Sequence, residues 1–199
     1  MNANIINLSK LFQMQKALDV RISKEHGLEG QDLLPKKILA LQVEIGELAN
    51  EWRGFKFWSK RQTPAEPEYN WKPSEDGQTL ESDGIKSYSL LDEYVDCLHF
   101  ILSIGLEIRE SLIQCHGFDV LQDDLQEVFK PQKYIDIVYE LNRLFHTVFW
   151  VGEDDHYEYV ELVECFLGLG ELLGFSLSEI EQAYINKNEV NHQRQDSGY

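Results

Sequence analysis

The stretch SLLDEYVDCLHFILSIGLEI, residues 89–108, constrains this chain more than any other. Turned about a helix axis it is apolar around most of its circumference, which marks a helix surrounded by other elements. Yet Glu93, Asp96 and Glu107 fall in one narrow arc, with Phe100 and Ser103 between them. A carboxylate taken out of water is costly unless it is paired or holds a metal. Few cations stand in this segment to pair with them. The spacing predicts a buried helix from about Ser89 to Ile113 with an acidic stripe.

A second segment repeats the pattern. Pro35 to Arg53 reads as a helix with proline in its first turn. Ile38, Leu41, Ile45, Leu48, Ala49 and Trp52 form one arc, and Glu44, Glu47 and Glu51 form a second beside it. Leu39 and Val43 lie on the far side, so the stripe has apolar neighbours on both flanks. One E-x-x-E pair is usually a solvated helix face. Two i, i+3 pairs on facing helices, Glu44 with Glu47 and Glu93 with Asp96, supply four hard oxygen ligands. That donor set suits Mg²⁺ or Mn²⁺ rather than zinc. A di-iron bundle needs two E-x-x-H motifs. Asp96/His99 and Glu153/His156 have that spacing, but His99 falls off the acidic arc and the second pair sits at a helix start.

The rest of the chain reads as helices as well. Apolar residues recur near a 3.6 period over 5–24, 131–149 and 157–173, and a last helix is entered through Ser176 or Ser178. A break falls near CHGFDVLQDDLQE. Residues 59–88 hold three prolines and many polar side chains, and read as a polar loop or insertion. No segment shows convincing strand alternation. The fold class is all-α: a helical bundle with a two-helix acidic metal site, residues 1–199 forming a single domain interrupted at about 59–88.

With 18 basic and 35 acidic residues the formal charge is −17. Such a field repels nucleic acid and anionic membranes. Cys97, Cys115 and Cys165 are scattered, without a C-x-x-C, which fits a reducing cytosol. The N-terminus has no signal-peptide pattern and CLHFILSIGL is too short to span a bilayer, so the expected location is cytoplasmic. Against this acidity two basic clusters stand out: Arg53, Lys56, Lys60 and Arg61, then Lys187 and Arg194, which share a helix face with Asn191. Local cations beside a metal point to a phosphate-bearing ligand.

Four pieces then carry a resemblance: FQMQKALDVRI, ALQVEIGELANEWRGFKFW, LLDEYVDCLHFILSIGL and YINKNEVNHQRQDSGY. In this order they resemble the dimeric all-α dUTPases, a branch of the all-α nucleoside triphosphate pyrophosphatases. They cover roughly half the chain. The resemblance implies Mg²⁺-dependent hydrolysis of dUTP, with dUDP as a further candidate substrate, to dUMP by attack of water on a phosphorus, at the β position. It implies that Glu44, Glu47, Glu93 and Asp96 hold the metal, with Glu44 or Glu47 as general base. Lys56, Lys187, Asn191, Arg194 and Tyr199 would contact the phosphates or close over the nucleotide. Gln15 and Asp19 would form part of the base pocket, with Trp58 near the base. It also implies a homodimer, and residues 131–175 are rich in Tyr, Phe, Trp and Leu. Two alternatives stand beside it: a pyrophosphatase for another nucleotide such as dCTP, and a non-catalytic helical partner-binding protein.

Overall fold

The computed structural model describes residues 7–74, 79–116, 135–152 and 156–198. Among these residues the elements are α1 (Leu8–Glu25), α2 (Leu34–Trp52), β1 (Glu68–Pro73), β2 (Leu80–Ser87), α3 (Ser89–His116), α4 (Ile137–Trp150), α5 (His156–Leu172) and α6 (Leu177–Asp196). The break expected near Cys115 to Glu127 and the start of the fourth helix at 131 fall largely outside the described residues.

The helix ends follow local chemistry. Asn7 and Asp136 accept backbone N–H groups at the starts of α1 and α4. Ser176 and Glu179 form a reciprocal capping box at the start of α6. Helix α2 has proline in its first turn and ends at Arg53, whose φ of 66° is left-handed. That conformation is unfavourable for a residue with a Cβ, and it turns the chain sharply into Gly54–Trp58.

Helix α3 is the hub. It packs on α1, α2, α5 and α6, while α4 pairs with α5 and also touches α2. This is the surrounded position its all-round apolar character predicts: Tyr94, Cys97, Ile104 and Ile108 are fully buried. The contact between α3 and α5 is reciprocal. Tyr94 Oη donates to the Phe166 carbonyl at 2.9 Å and Tyr159 Oη donates to the Ile101 carbonyl at 3.0 Å. Each hydroxyl sits over a glycine on the opposite helix. A Cβ on Gly105 would lie 2.1 Å from Tyr159 Oη, and one on Gly170 would lie 2.5 Å from Tyr94 Oη. Only glycine leaves room for these bonds.

Residues 59–88 are not all loop. Strands β1 and β2 pair antiparallel, with Tyr69 opposite Ile85 and Trp71 opposite Ser82, and the register shifts twice. Every residue of β1 is exposed. A ribbon with solvent on both faces has no apolar side to impose a two-residue alternation, so its sequence carries no strand signal. Ile85 and the adjoining Tyr88 anchor its base against the core.

Candidate functional site

Among the described residues, helices α2 and α3 share the most extensive helix–helix contact. Its apolar members fix where the acids go. Ile45 and Leu48 are fully buried, which leaves Glu44 and Glu47 on the rim of α2. Tyr94, Val95 and Cys97 are buried in the same way, which leaves Glu93 and Asp96 on the rim of α3. The two rims meet. Glu44, Glu47 and Glu93 each offer a carboxylate oxygen, and the three atoms lie within 4.8 Å of one another.

This arrangement is short of positive charge. Burial, and then the charges of Asp96, Glu47 and Glu93, push the Glu44 carboxyl up to about 7. Glu93 is raised by burial first, and by Asp96 and Glu47 after it. Converging hard oxygens with a shared excess of negative charge fit a hard divalent cation. Asp96 stands beside the trio, and its Oδ2 is 2.5 Å from Lys187 Nζ of α6.

The other acids of the two stripes have different employment. Glu51 accepts a hydrogen bond from Ser89 Oγ at 2.9 Å, at the start of α3. Glu107 pairs with Lys37 of α2, whose Nζ also lies 3.6 Å from Asp19. The full stripe seen in the sequence therefore divides into a cluster at one end and an ion pair at the other.

Gln15 and Asp19 belong to a second, interior group. Gln15 is only 3 % exposed. Its Nε2 donates to Asp19 Oδ1 at 2.7 Å, which fixes the amide so that Oε1 faces inward. That oxygen meets both Tyr184 Oη at 2.9 Å and His99 Nδ1 at 2.8 Å. Ser103 Oγ donates to Asp19 Oδ2 at 2.5 Å. The His99 ring stacks on Tyr184 with centroids 4.3 Å apart. An amide oxygen only accepts, so His99 carries its proton on Nδ1 and presents a bare Nε2. Burial, aided by the charge of Lys187, lowers the His99 pKa to about 3. His99 Nε2 and Asn188 Nδ2 are buried with no hydrogen-bond partner among the described residues.

Of the other members, the sequence reading met His99 only in the rejected di-iron pairing and Ser103 only within the acidic arc, and it gave Tyr184 and Asn188 no role. A signal was present: Gln15/Asp19, His99/Ser103 and Tyr184/Asn188 are three i, i+4 pairs of hydrogen-bonding residues on three helices.

The remaining candidates lie apart. Trp58 is 65 % exposed, and its ring contacts are with Phe55 and Phe57 in the same turn. Lys56 Nζ donates to the Asn50 carbonyl at 3.3 Å and sits 5.6 Å over the Phe55 ring. Asn191 Oδ1 accepts from Arg194 at 3.3 Å, on the solvent side of α6. Tyr199 lies outside the described residues.

The family model described as dUTPase matches residues 7–70 and 81–199. No curated protein matches the chain. The two matched segments include every candidate residue named above, and the unmatched gap falls within the β1–β2 ribbon.

Proposed function

The chain belongs to the dUTPase family, and on that premise we propose that it hydrolyses dUTP to dUMP and pyrophosphate at the rim between α2 and α3, with Mg²⁺ (Mn²⁺ as a substitute) held by Glu44, Glu47, Glu93 and Asp96. The observation that carries this reading is the convergence of three carboxylate oxygens from two helices within 4.8 Å. A divalent ion bound there supplies charge neutralisation for the phosphates and for the charge that builds up during attack.

The chain's own groups do the rest. Glu44 is the group proposed to take the proton of the attacking water, with Glu47 as the alternative base; attack on the β-phosphorus, in line with the bond that breaks, follows the family. Lys56, Lys187 and Arg194 neutralise phosphate oxygens, Asn191 donates to them and Tyr199 closes over the nucleotide. Gln15 and Asp19 organise the base pocket and Trp58 folds onto the base. Among the described residues the buried His99 Nε2 is an acceptor and the buried Asn188 Nδ2 a donor without a hydrogen-bond partner. An acceptor and a donor are the types that would pair with the N3–H and O4 of uracil, whereas cytosine presents an acceptor at N3 and a donor at N4, which supports dUTP over dCTP. dUDP offers the same base and a β-phosphorus, and is proposed as a second substrate.

No helix among the described residues is long and apolar enough to cross a membrane, and a cytoplasmic site of action is proposed, without a nucleic-acid partner. A homodimer of single-domain protomers is proposed from the surface. Leu39 is 62 % exposed and Phe149 67 %, and both line a groove with Leu34, Gln42 and Val151. These are large apolar side chains left in water on one face, as a subunit interface requires.

The test is pyrophosphate release from a panel of deoxynucleoside triphosphates with and without Mg²⁺. Mg²⁺-dependent turnover of dUTP above the rest is the expected result. Preference for another base would overturn the pocket assignment and retain the carboxylates. No turnover of any nucleotide would bring the partner-binding alternative forward.

A further inference from the structure

Lys187 stands in two roles at once. As a phosphate ligand it must reach the triphosphate, yet its ammonium is 2.5 Å from Asp96, one of the four acids assigned to the metal. It also offsets part of the cluster's charge, since its field acts on Glu44, Asp92 and Glu93. While its ammonium donates to Asp96 Oδ2, that oxygen is not open to a metal ion.

We propose that Lys187 is the resident counter-ion of the cluster: it occupies Asp96 while the site lacks a divalent cation, and metal binding displaces it from Asp96 and thereby frees it for the triphosphate. This rests on the metal reading given above and adds an order of events to it.

Three observations support the exchange. First, the move needs only a side chain. Lys187 lies between Tyr184 and Asn188, both buried, so the α6 backbone stays seated while the flexible four-carbon stem swings. Second, the pair is not required to dock α6. Arg21 bonds Asp196 at 2.5 Å, Lys10 bonds Glu181 at 3.1 Å, and Tyr184 Oη bonds Gln15, all from α1. Third, the pair is partly solvated, with side chains 21 % and 23 % exposed. The pair is not sealed from solvent, so an entering ion has access to the Asp96 carboxylate.

Competition of this kind has a sign. If Lys187 and the metal exclude each other at Asp96, each lowers the other's apparent affinity by the same factor. Removing the ammonium must tighten metal binding, the reverse of what loss of a ligand or a fold-stabilising bridge would do.

The experiment is titration of the nucleotide-free protein with Mn²⁺, reading free Mn²⁺ by electron paramagnetic resonance, for the wild type, Lys187→Met, Asp96→Asn, the double variant and Glu47→Gln. Thermal melts check that each is folded. The expected result is binding about tenfold tighter or more in Lys187→Met, and a much smaller gain when the same change is made in the Asp96→Asn background. Equal affinity in wild type and Lys187→Met overturns the exchange. So does an equal gain in both backgrounds, which would mean a general field effect. If Glu47→Gln weakens Mn²⁺ binding, either of those outcomes removes the exchange and leaves the metal site standing. If no protein of the set binds Mn²⁺, the metal reading falls and the exchange falls with it.

Discussion

His99 Nδ1 of α3 lies 2.8 Å from Gln15 Oε1 of α1, and the same oxygen accepts from Tyr184 of α6. One amide oxygen thus joins three helices, while burial and then the charge of Lys187 hold the imidazole neutral. The group's pKa falls from an unfolded value near 6.5 to about 3. Between those values the unfolded chain binds a proton that the folded chain refuses, so stability falls as pH falls through that window. Lys187 and, through Gln15, Asp19 are the charges that face the ring. Other groups titrate equally in wild type and His99→Gln, so their difference isolates the histidine. In urea unfolding, the stability advantage of wild type over His99→Gln should shrink by about 1–2 kcal/mol between pH 7 and pH 5. An unchanged difference would mean the ring is solvated.

The acidic cluster predicts an inversion. Glu44 is held near 7 by burial and by its acidic neighbours, so its charge is unfavourable in the metal-free fold. Glu44→Gln should melt higher than wild type in chelator. In Mg²⁺ the same variant should lose dUTP turnover by about 100-fold or more, as should Glu47→Gln and Asp96→Asn. Turnover within a fewfold of wild type in Glu47→Gln and Asp96→Asn would remove the metal assignment.

The α3–α5 contact predicts intolerance to a single methyl group. Gly170→Ala places a carbon 2.5 Å from Tyr94 Oη and Gly105→Ala one 2.1 Å from Tyr159 Oη. Each should lower unfolding free energy by about 1–3 kcal/mol through overpacking. Adding Tyr94→Phe to Gly170→Ala should recover part of the loss, because the nearest colliding atom is gone. Chemical denaturation of the four proteins reads this directly.

The exposed apolar groove predicts the oligomer. Wild type should sediment as a dimer of the 23.2 kDa chain, and Leu39→Glu or Phe149→Glu should shift it toward monomer. Sedimentation of wild type as monomer at every concentration would discard the dimer.

The parts of this molecule that were legible in its sequence are those whose chemistry repeats with the helix. Glu44/Glu47 and Glu93/Asp96 are visible because the members of each pair stand at i and i+3 beside buried apolar neighbours. Ser176 marks the start of α6 because its hydroxyl and the Glu179 carboxylate cap each other locally. The β1–β2 ribbon left no trace because only its base, at Ile85, packs on the core and β1 is exposed throughout. The Gln15–His99–Tyr184 junction was hidden for another reason. Each polar residue is unremarkable on its own helix, and only the packing of three helices makes them one network. The pairing of Lys187 with Asp96 spans 91 residues, and no local spacing reports it.

The α1–α6 contact also bears on how the protein is made. Gln15 and the Tyr184 that bonds it are 169 residues apart, so α1 leaves the ribosome well before α6. Until α6 is made, Gln15 lacks its Tyr184 partner and Asp96 has no lysine. A nascent chain stalled before α6 would carry the carboxylates without the junction that organises Gln15 and without the ammonium that guards the cluster. The interior junction of α1, α3 and α6 and the Lys187–Asp96 pair are therefore completed only once α6 has been made.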